Sequence, residues 1–245
     1  MKNDPFIIAA FLEAMENSDW VADGTNPLIT VSRQIGAQGE EIAARAAELL
    51  TEASRGKHPW ILVDKDIAER VMESHHLPER IKSFFTEEQA QSIEEHLHGL
   101  LGFSTSGAAM IADMTETMIR LARIGHVIFV GRGANAVTAK FPRAVHIRVI
   151  GSQERRVERV AAQMGLSPHD ALAEVRRVDH QRSQFMSTYF HRQIDDPTPY
   201  DLIFNTDRIS VEEAAHLIAH LVHSPHFREP EAGKLRELRH QVLGR

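Results

Sequence analysis

The segment from Leu28 to Leu50 constrains the fold of this chain more than any other stretch. An apolar run, LITV, is followed by a turn that contains Gly36 and Gly39, and then by an amphipathic stretch with helical spacing. A strand, a glycine-bearing turn and a helix in this order are typical of folds that bind phosphate at a helix N-terminus, where backbone N–H groups point at the ligand. The segment therefore predicts an α/β domain with an anion site at this turn.

The turn departs from the usual phosphate-loop pattern, G-x-x-x-x-G-K-[ST], at each defining position. Arg33 stands at the first glycine, Gln38 at the second, Gly39 at the lysine and Glu40 at the serine or threonine. One positive charge is lost, and Glu40 and Glu41 add carboxylates to the first turn of the helix. These carboxylates stabilise the helix dipole but compete with a phosphate for the same helix end. The architecture predicts a nucleotide phosphate, while the charges argue against ordinary ATP binding.

Composition limits the function further. The chain has 245 residues, of which 42% are hydrophobic and 25% charged, so it is long enough to bury the core of a globular domain. The net charge of −6 does not favour nonspecific binding to nucleic acid or to an anionic membrane, and any anion site has to be local. The absence of cysteine excludes disulfides and thiolate metal sites, and it suits a reducing cytoplasm.

Neither a targeting signal nor a membrane span is expected from the sequence. Residues 1–20 carry charges among their apolar positions, which disagrees with a signal-peptide core or a transit sequence. No apolar run elsewhere approaches the roughly 18 residues that a membrane helix needs. We therefore expect a cytoplasmic protein without a membrane partner.

Apolar runs alternate with helical patterns along the chain. The predicted strands are Leu28–Ser32, Trp60–Val63, Val127–Val130, Ala144–Ile150 and Asp201–Phe204. The predicted helices are Gln38–Thr51, Ala134–Lys140, Gln153–Met164, Pro168–Tyr189 and Val211–Val222. Strands separated by helices predict a parallel sheet of about five strands with helices on both faces. We expect an N-terminal helix and linker in 1–26, the α/β domain in 27–224 with a helical insert at about 66–124, and a helical tail in 225–245.

Ligands of such sheets bind beyond the carboxyl ends of the strands. Ser32, Asp64, Gly131 and Asn205 all fall at predicted strand ends, so one polar site is expected there. Arg132 lies between two glycines at the end of its strand, which suits bidentate recognition of phosphate. A strand-end turn with a solvated arginine is the alternative.

Arginines are frequent after the strand that ends at Ile150. Spacings of three to five place side chains on a shared helical face, where they can close over a phosphoryl group. A solvated face paired with Glu154, Glu158 and Glu174 gives the same pattern, and the sequence leaves both readings open. The residues concerned are Arg155, Arg156, Arg159, Arg176, Arg177 and Arg182, with Asp179 among them.

Six separated segments resemble the cytidylate kinase-like family, relatives of the P-loop nucleoside monophosphate kinases. They are ITVSRQIG, VDKD, GHVIFVGRGA, HIRVIGSQERRVER, VRRVDHQR and YDLIFNTD followed by ISVEEA, and they occur in order between Leu28 and Val222. The resemblance implies a P-loop kinase-type three-layer fold with a helical lid. Members of this branch often carry S-R-x-x-G-x-x-G, so the missing lysine is a property of the branch.

The resemblance also implies roles for individual residues. Arg132 would hold the acceptor phosphate, with a weaker acceptor contact at Asp64. Asn205 and Thr206 would lie near the adenine. The lid arginines would be Arg155, Arg159, Arg177 and Arg182, oriented by Asp179. ATP with Mg²⁺ would bind at the loop residues Ser32, Arg33, Gly36, Ala37, Gln38 and Gly39. Arg33 is a candidate replacement for the lysine, and Glu41 a candidate to hold magnesium through water.

Two functions remain open at this point. The first is a phosphotransferase that takes a nucleoside triphosphate and phosphorylates CMP or another small acceptor. The second is a catalytically silent nucleotide-binding or interaction protein on the same fold.

His216, His220 and His223 recur on one helix but lack a fourth ligand, so no metal site is predicted. The apolar faces of Asp4–Glu16 and Met110–Ile124 would support a homodimer, and no nucleic-acid partner is expected.

Overall fold

The computed structural model describes residues 26–64, 115, 118–119, 121–131 and 133–224. The predicted N-terminal helix, most of the predicted insert at 66–124, Arg132 and the predicted tail in 225–245 lie outside the described residues.

In the described part of the chain, five strands and five helices follow the predicted order. The strands are β1 (Leu28–Arg33), β2 (Ile61–Val63), β3 (Val127–Val130), β4 (Ala144–Ile150) and β5 (Leu202–Asn205). The helices are α1 (Gly39–Ala53), α2 (Ala134–Val137), α3 (Gln153–Met164), α4 (Pro168–Phe190) and α5 (Val211–His223). Most boundaries agree with the predicted ones within two residues. The predicted helix Ala134–Lys140 is shorter, because the chain turns after Val137.

The strands form one parallel sheet in the order β2-β3-β1-β4-β5. One face buries Ile29, Val31 and Ile147 against α1 and α5. The other face buries Leu28 and Phe129 against residues that include Met118 and Ala122. Alternate residues of each strand serve the two faces, as the pleat requires. The predicted α/β fold, with a parallel sheet between helical layers, is confirmed.

The helix N-termini differ in a way that bears on the site. Ser152, Ser167 and Ser210 cap α3, α4 and α5, and each side chain accepts a hydrogen bond from a backbone N–H of the first turn. Helix α1 begins after Gln38, which is left-handed at φ 62° and makes no capping bond through its side chain. The first turn of α1 therefore keeps donors that the serine-capped helices have already used.

Candidate functional site

The loop from Gln34 to Gln38 joins β1 to α1 at the carboxyl edge of the sheet. Parallel pairing brings the ends of all five strands to this edge, where Ser32, Asp64, Gly131 and Asn205 fall, as expected. Among the described residues, the backbone N–H groups of Gly36, Gln38 and Gly39 have no acceptor. The loop therefore presents main-chain donors beside the N-terminus of α1, as a phosphate-binding loop does.

The carbonyl groups of this loop are held by arginines from α3 and α4. Arg156 Nη1 donates to the carbonyl of Ile35 at 3.3 Å, and Arg159 Nη1 donates to that of Gly36 at 3.1 Å. Arg182 Nη1 donates to the carbonyl of Arg33 at 3.0 Å. Three guanidinium groups thus fix the backbone of the loop and draw α3 and α4 onto it.

Gly36 shows how tightly α3 packs on the loop. Its φ is 71°, in the left-handed region that glycine tolerates best. A Cβ atom on Gly36 would also lie 2.7 Å from the carbonyl oxygen of Arg156. Position 36 therefore requires glycine for two reasons, the left-handed turn and the close contact with α3.

Asp179 of α4 connects the two helices and the loop. Its Oδ2 lies 2.5 Å from Arg156 Nη1, and its Oδ1 accepts a hydrogen bond from the backbone N–H of Ile35 at 3.0 Å. The sequence prediction gave Asp179 the role of orienting the lid arginines, and its direct partner is Arg156, which was named in the arginine run but not among the site residues. This ion pair is largely shielded from solvent, so losing either member leaves a costly unpaired charge.

The side chain of Arg33 lies across the start of α1. Its Nε donates to Glu40 Oε1 at 2.7 Å, and Arg182 Nη2 lies 3.9 Å from the same oxygen. A Cβ atom on Gly131, at the end of β3, would collide with Arg33 Nη1, so that glycine allows the guanidinium to approach the strand end. Two arginines thus flank the helix end that lacks the usual lysine, and one carboxylate is bound between them.

These charges shift each other's ionisation. Burial alone would raise the pKa of Glu40, but the charge of Arg33, its hydrogen bond and the charge of Arg182 outweigh burial and lower that pKa below its ordinary value. Burial and the neighbouring charge of Arg33 lower the pKa of Arg182 to about 10, although Glu40 and Asp179 act in the opposite direction. Arg148 also contributes to this lowering. The site therefore concentrates positive charge in a poorly solvated place, which favours an anionic ligand.

Arg148 of β4 is a member of this group that the sequence analysis missed. Its Nη1 donates to Ser32 Oγ at 2.8 Å, and its Nη2 donates to Asp195 Oδ1 at 2.8 Å. An arginine within a mostly apolar strand is the signal that could have revealed it, because buried charge needs a partner.

Asn205 and Thr206 are predicted to lie on the adenine side; Asn205 is the last residue of β5 and Thr206 follows it. Arg159 Nη1 donates to Thr206 Oγ1 at 3.1 Å, and its Nη2 donates to the Thr206 carbonyl at 3.2 Å. Arg159 therefore links Thr206 to the loop. Asn205 is exposed, and its side-chain oxygen accepts a bond from the N–H of Asp207 at 3.0 Å.

The other predicted lid arginines do not reach the loop. Arg155 is 66% exposed and lies 3.9 Å from Glu158, and Arg177 is 56% exposed and bonded to Glu174 at 2.6 Å. Asp64 directly follows β2, and Arg132 lies outside the described residues. The structure thus groups Arg33, Arg159, Arg182 and Asp179 around the loop, and it leaves Arg155 and Arg177 on the outer face of α3 and α4.

Two further findings concern only the described part of the chain. No group of three histidine or carboxylate side chains there is arranged to hold a metal ion. None of the helices in these ranges is both long and apolar enough to cross a bilayer.

The parallel sheet and its helical layers define an α/β protein with a nucleotide kinase-like fold. The sequence profile of the cytidylate kinase-like family matches residues 28–208, which is most of the chain. This chain therefore belongs to the cytidylate kinase-like family. No curated protein matches the sequence.

The solved structures that resemble this one include two crystal structures. An uncharacterized protein from Eubacterium ventriosum ATCC 27560 matches with a TM-score of 0.58 and 18% identity, over 81% of this chain and 99% of that chain. TT1252 from Thermus thermophilus matches with a TM-score of 0.41 and 20% identity, over 80% of this chain and 96% of that chain. At this identity the first likeness shows the fold alone, and the second is too distant to add to it.

Proposed function

We propose that the chain is a phosphotransferase of the nucleoside monophosphate kinase type, which transfers a phosphoryl group from a nucleoside triphosphate to CMP or another small acceptor. One observation supports the proposal most: Arg33 and Arg182 converge on the start of α1, beside the N–H groups of Gly36, Gln38 and Gly39, which have no acceptor among the described residues. This is the helix end from which the usual lysine is missing.

The two guanidinium groups supply the charge that such a transfer requires. Phosphoryl transfer demands little acid-base chemistry, and positioning and charge neutralisation do most of the catalysis. A guanidinium binds phosphate through two parallel hydrogen bonds, which a lysine cannot do. In this proposal Arg33 exchanges Glu40 for a phosphate oxygen of the donor, and Arg182 contacts the group in transfer.

ATP and Mg²⁺ are the expected donor and metal. The phosphates would bind the N–H groups of Gly36, Gln38 and Gly39, and Thr206 and Asn205 would lie toward the base. Mg²⁺ prefers oxygen ligands and usually keeps several waters. Glu41, which is exposed in the first turn of α1 and bonds Gln163 at 3.4 Å, would hold the ion through water. The metal would neutralise phosphate charge, and the protein's arginines would orient the chain of phosphates.

The test is calorimetric titration with Mg-ATP, followed by a transfer assay with the four common nucleoside monophosphates. We expect ATP binding and transfer to at least one acceptor. Arg182→Ala should abolish most of that transfer, and Arg176→Ala, which changes an exposed arginine of the same helix, serves as the matched control. No binding of Mg-ATP up to millimolar concentrations would overturn the proposal.

A catalytically silent nucleotide-binding protein is the second candidate, and one observation favours it. Glu40 already neutralises Arg33, and three further arginines are engaged with carbonyl groups of the loop. In a silent protein these contacts would persist when nucleotide binds. Saturable ATP binding without transfer to any acceptor would support this candidate. A cytoplasmic location suits either function and remains a prediction from the sequence.

A further inference from the structure

Arg148 has an unusual pair of partners for a buried arginine. Its side chain is 5% exposed, and within the described residues its hydrogen bonds go to the neutral hydroxyl of Ser32 and to the carboxylate of Asp195. Asp195 is 79% exposed. The counter-charge of a buried guanidinium is thus a carboxylate that is mostly in solvent.

This arrangement places Nη2 of the buried Arg148 beside a carboxylate at the protein surface. A buried charge is costly unless it is well paired, and an exposed partner contributes little because water screens it. Asp195 Oδ1 can leave Nη2 and become hydrated while the guanidinium stays in place. Another anionic oxygen can then bind the same Nη2 without any movement of β4.

The backbone beside Asp195 is fixed, although its carboxylate is exposed. Ile194 is buried, and Tyr200 Oη donates to the Ile194 carbonyl at 3.1 Å. The segment that follows α4 is therefore anchored, and it holds the Asp195 carboxylate beside Arg148. Asp195 behaves as a tethered counter-ion that a ligand can replace.

Arg148 also belongs to the site at the loop. It lies opposite Ser32 in the register of β1 and β4, and Ser32 directly precedes Arg33. Its charge is close enough to act on Arg182, which contacts both Arg33 and Glu40. The three arginines come from β1, β4 and α4, and the carboxylates facing Arg33 and Arg148 are Glu40 and Asp195 respectively.

We propose that Arg148 is a specificity-determining residue: it binds a phosphate of the ligand in exchange for Asp195, and this phosphate belongs to the acceptor. This assignment rests on the proposed function, because it gives the phosphate position at Arg33 to the donor and the one at Arg148 to the acceptor. The donor replaces Glu40 at Arg33, and the acceptor replaces Asp195 at Arg148. An acceptor without a phosphate would leave Arg148 paired with Asp195, so Arg148 would add nothing to the affinity for that acceptor.

The test uses CMP as probe and cytidine as its phosphate-free match, each titrated calorimetrically without ATP. Asp195→Asn removes the competing carboxylate and leaves Arg148 intact, so it should tighten CMP binding by about 3- to 10-fold. Asp196→Asn is the matched control, because Asp196 is also exposed but accepts a hydrogen bond from the N–H of Thr198 instead of from an arginine. It should change CMP affinity by less than about twofold.

A second variant tests the arginine itself. Arg148→Met should weaken CMP binding by about tenfold or more and leave cytidine binding unchanged, because only the phosphate contact is lost. Its fold is checked by circular dichroism, and if it fails to fold, Asp195→Asn still decides the question. In the transfer assay, Asp195→Asn should lower the KM for CMP without raising the KM for ATP.

Several results would overturn the proposal. Equal shifts for Asp195→Asn and Asp196→Asn would show an effect of net charge alone. A tightening of ATP binding without one of CMP binding would assign the phosphate to the donor. No CMP binding by either the wild type or Asp195→Asn up to millimolar concentration would also contradict it. Failure of the proposed function is distinct from these results, since CMP binding that follows this pattern without any transfer would contradict only the kinase activity.

Discussion

Two sets of arginines on α3 and α4 differ completely in environment, although they belong to the same charged stretch of sequence. The inner set donates to carbonyl groups of the loop and of the strand end just before it; its members are Arg156, Arg159 and Arg182. The outer set, Arg155 and Arg177, faces solvent and pairs with glutamates three residues away. The comparison shows that the rotation of each helix about its axis, and not the number of arginines, selects the residues that can act on a ligand.

The largest effect is expected on the rate of phosphoryl transfer, from a change at Arg182, the member of the inner set that contacts both Arg33 and Glu40. Arg182→Ala should reduce the rate of phosphoryl transfer by about 100-fold or more, because an arginine at a transferring phosphoryl group contributes charge that appears only in the transition state. Steady-state kinetics with Mg-ATP and the best acceptor give the measurement. A variant within about threefold of the wild type would remove Arg182 from the site.

The next effect concerns stability. Arg156→Ala should lower the free energy of unfolding by about 2 kcal/mol or more, because it leaves Asp179 without its charged partner and the carbonyl of Ile35 without its hydrogen-bond donor. Urea denaturation measures this loss. The double variant Arg156→Ala, Asp179→Asn should recover part of the stability, and strictly additive losses would show that the two side chains do not act as a pair.

A smaller effect is expected at Glu40, which competes with the ligand for Arg33. Glu40→Gln should tighten Mg-ATP binding by about 3- to 10-fold, since the amide holds Arg33 less firmly than the carboxylate does. Gln at this position keeps the size of the side chain. Weaker ATP binding in this variant would mean that Glu40 assists the ligand instead of competing with it.

The same residue gives a prediction for pH. The pKa of Glu40 is lowered in the folded protein from an ordinary value of 4.5, so its ionised form stabilises the fold. That contribution is present above pH 4.5 and is lost as pH falls through the lowered pKa. The stability difference between wild type and Glu40→Gln should therefore be constant near neutral pH and shrink as pH falls below 4.5. A difference that grows on acidification would contradict the assignment.

The smallest effect is expected in the outer set. Arg177→Ala should change kcat/KM by less than about twofold, because an exposed pair with Glu174 contributes little. This outcome would favour the contacts seen in the structure over the family resemblance, which assigns Arg177 to the lid. A loss as large as that of Arg182→Ala would show that α4 changes its contacts when nucleotide binds.

The sequence predicted the strands and helices well because the buried strands are mostly apolar, β3 entirely so, and because helices such as α1 carry an apolar stripe. It also predicted that the strand ends at Ser32 and Gly131 meet, since parallel pairing leaves no other place for them. The spacing of the arginines did not show that Arg156 faces the loop while Arg155 faces solvent. Successive residues of a helix differ by about 100° in direction, so the choice depends on how α3 packs on the loop.

The role of Arg148 could not be predicted for a different reason. Its partners Ser32 and Asp195 are distant in sequence, and they meet only through the register of β4 on β1 and the anchored segment after α4. Glu40 was recognised as a competitor for phosphate, but its pairing with Arg33 depends on the side-chain direction of Arg33 across α1. Contacts of this kind follow from tertiary packing and not from local spacing.

The central claim is that Arg33 supplies the charge of the missing lysine at the start of α1. Calorimetric titration of Arg33→Ala with Mg-ATP, beside the control Arg176→Ala, tests it most directly. We expect Arg33→Ala to bind Mg-ATP at least about tenfold more weakly than wild type, and the control to bind as wild type does. An Arg33→Ala variant that is folded and binds Mg-ATP with unchanged affinity would contradict the claim.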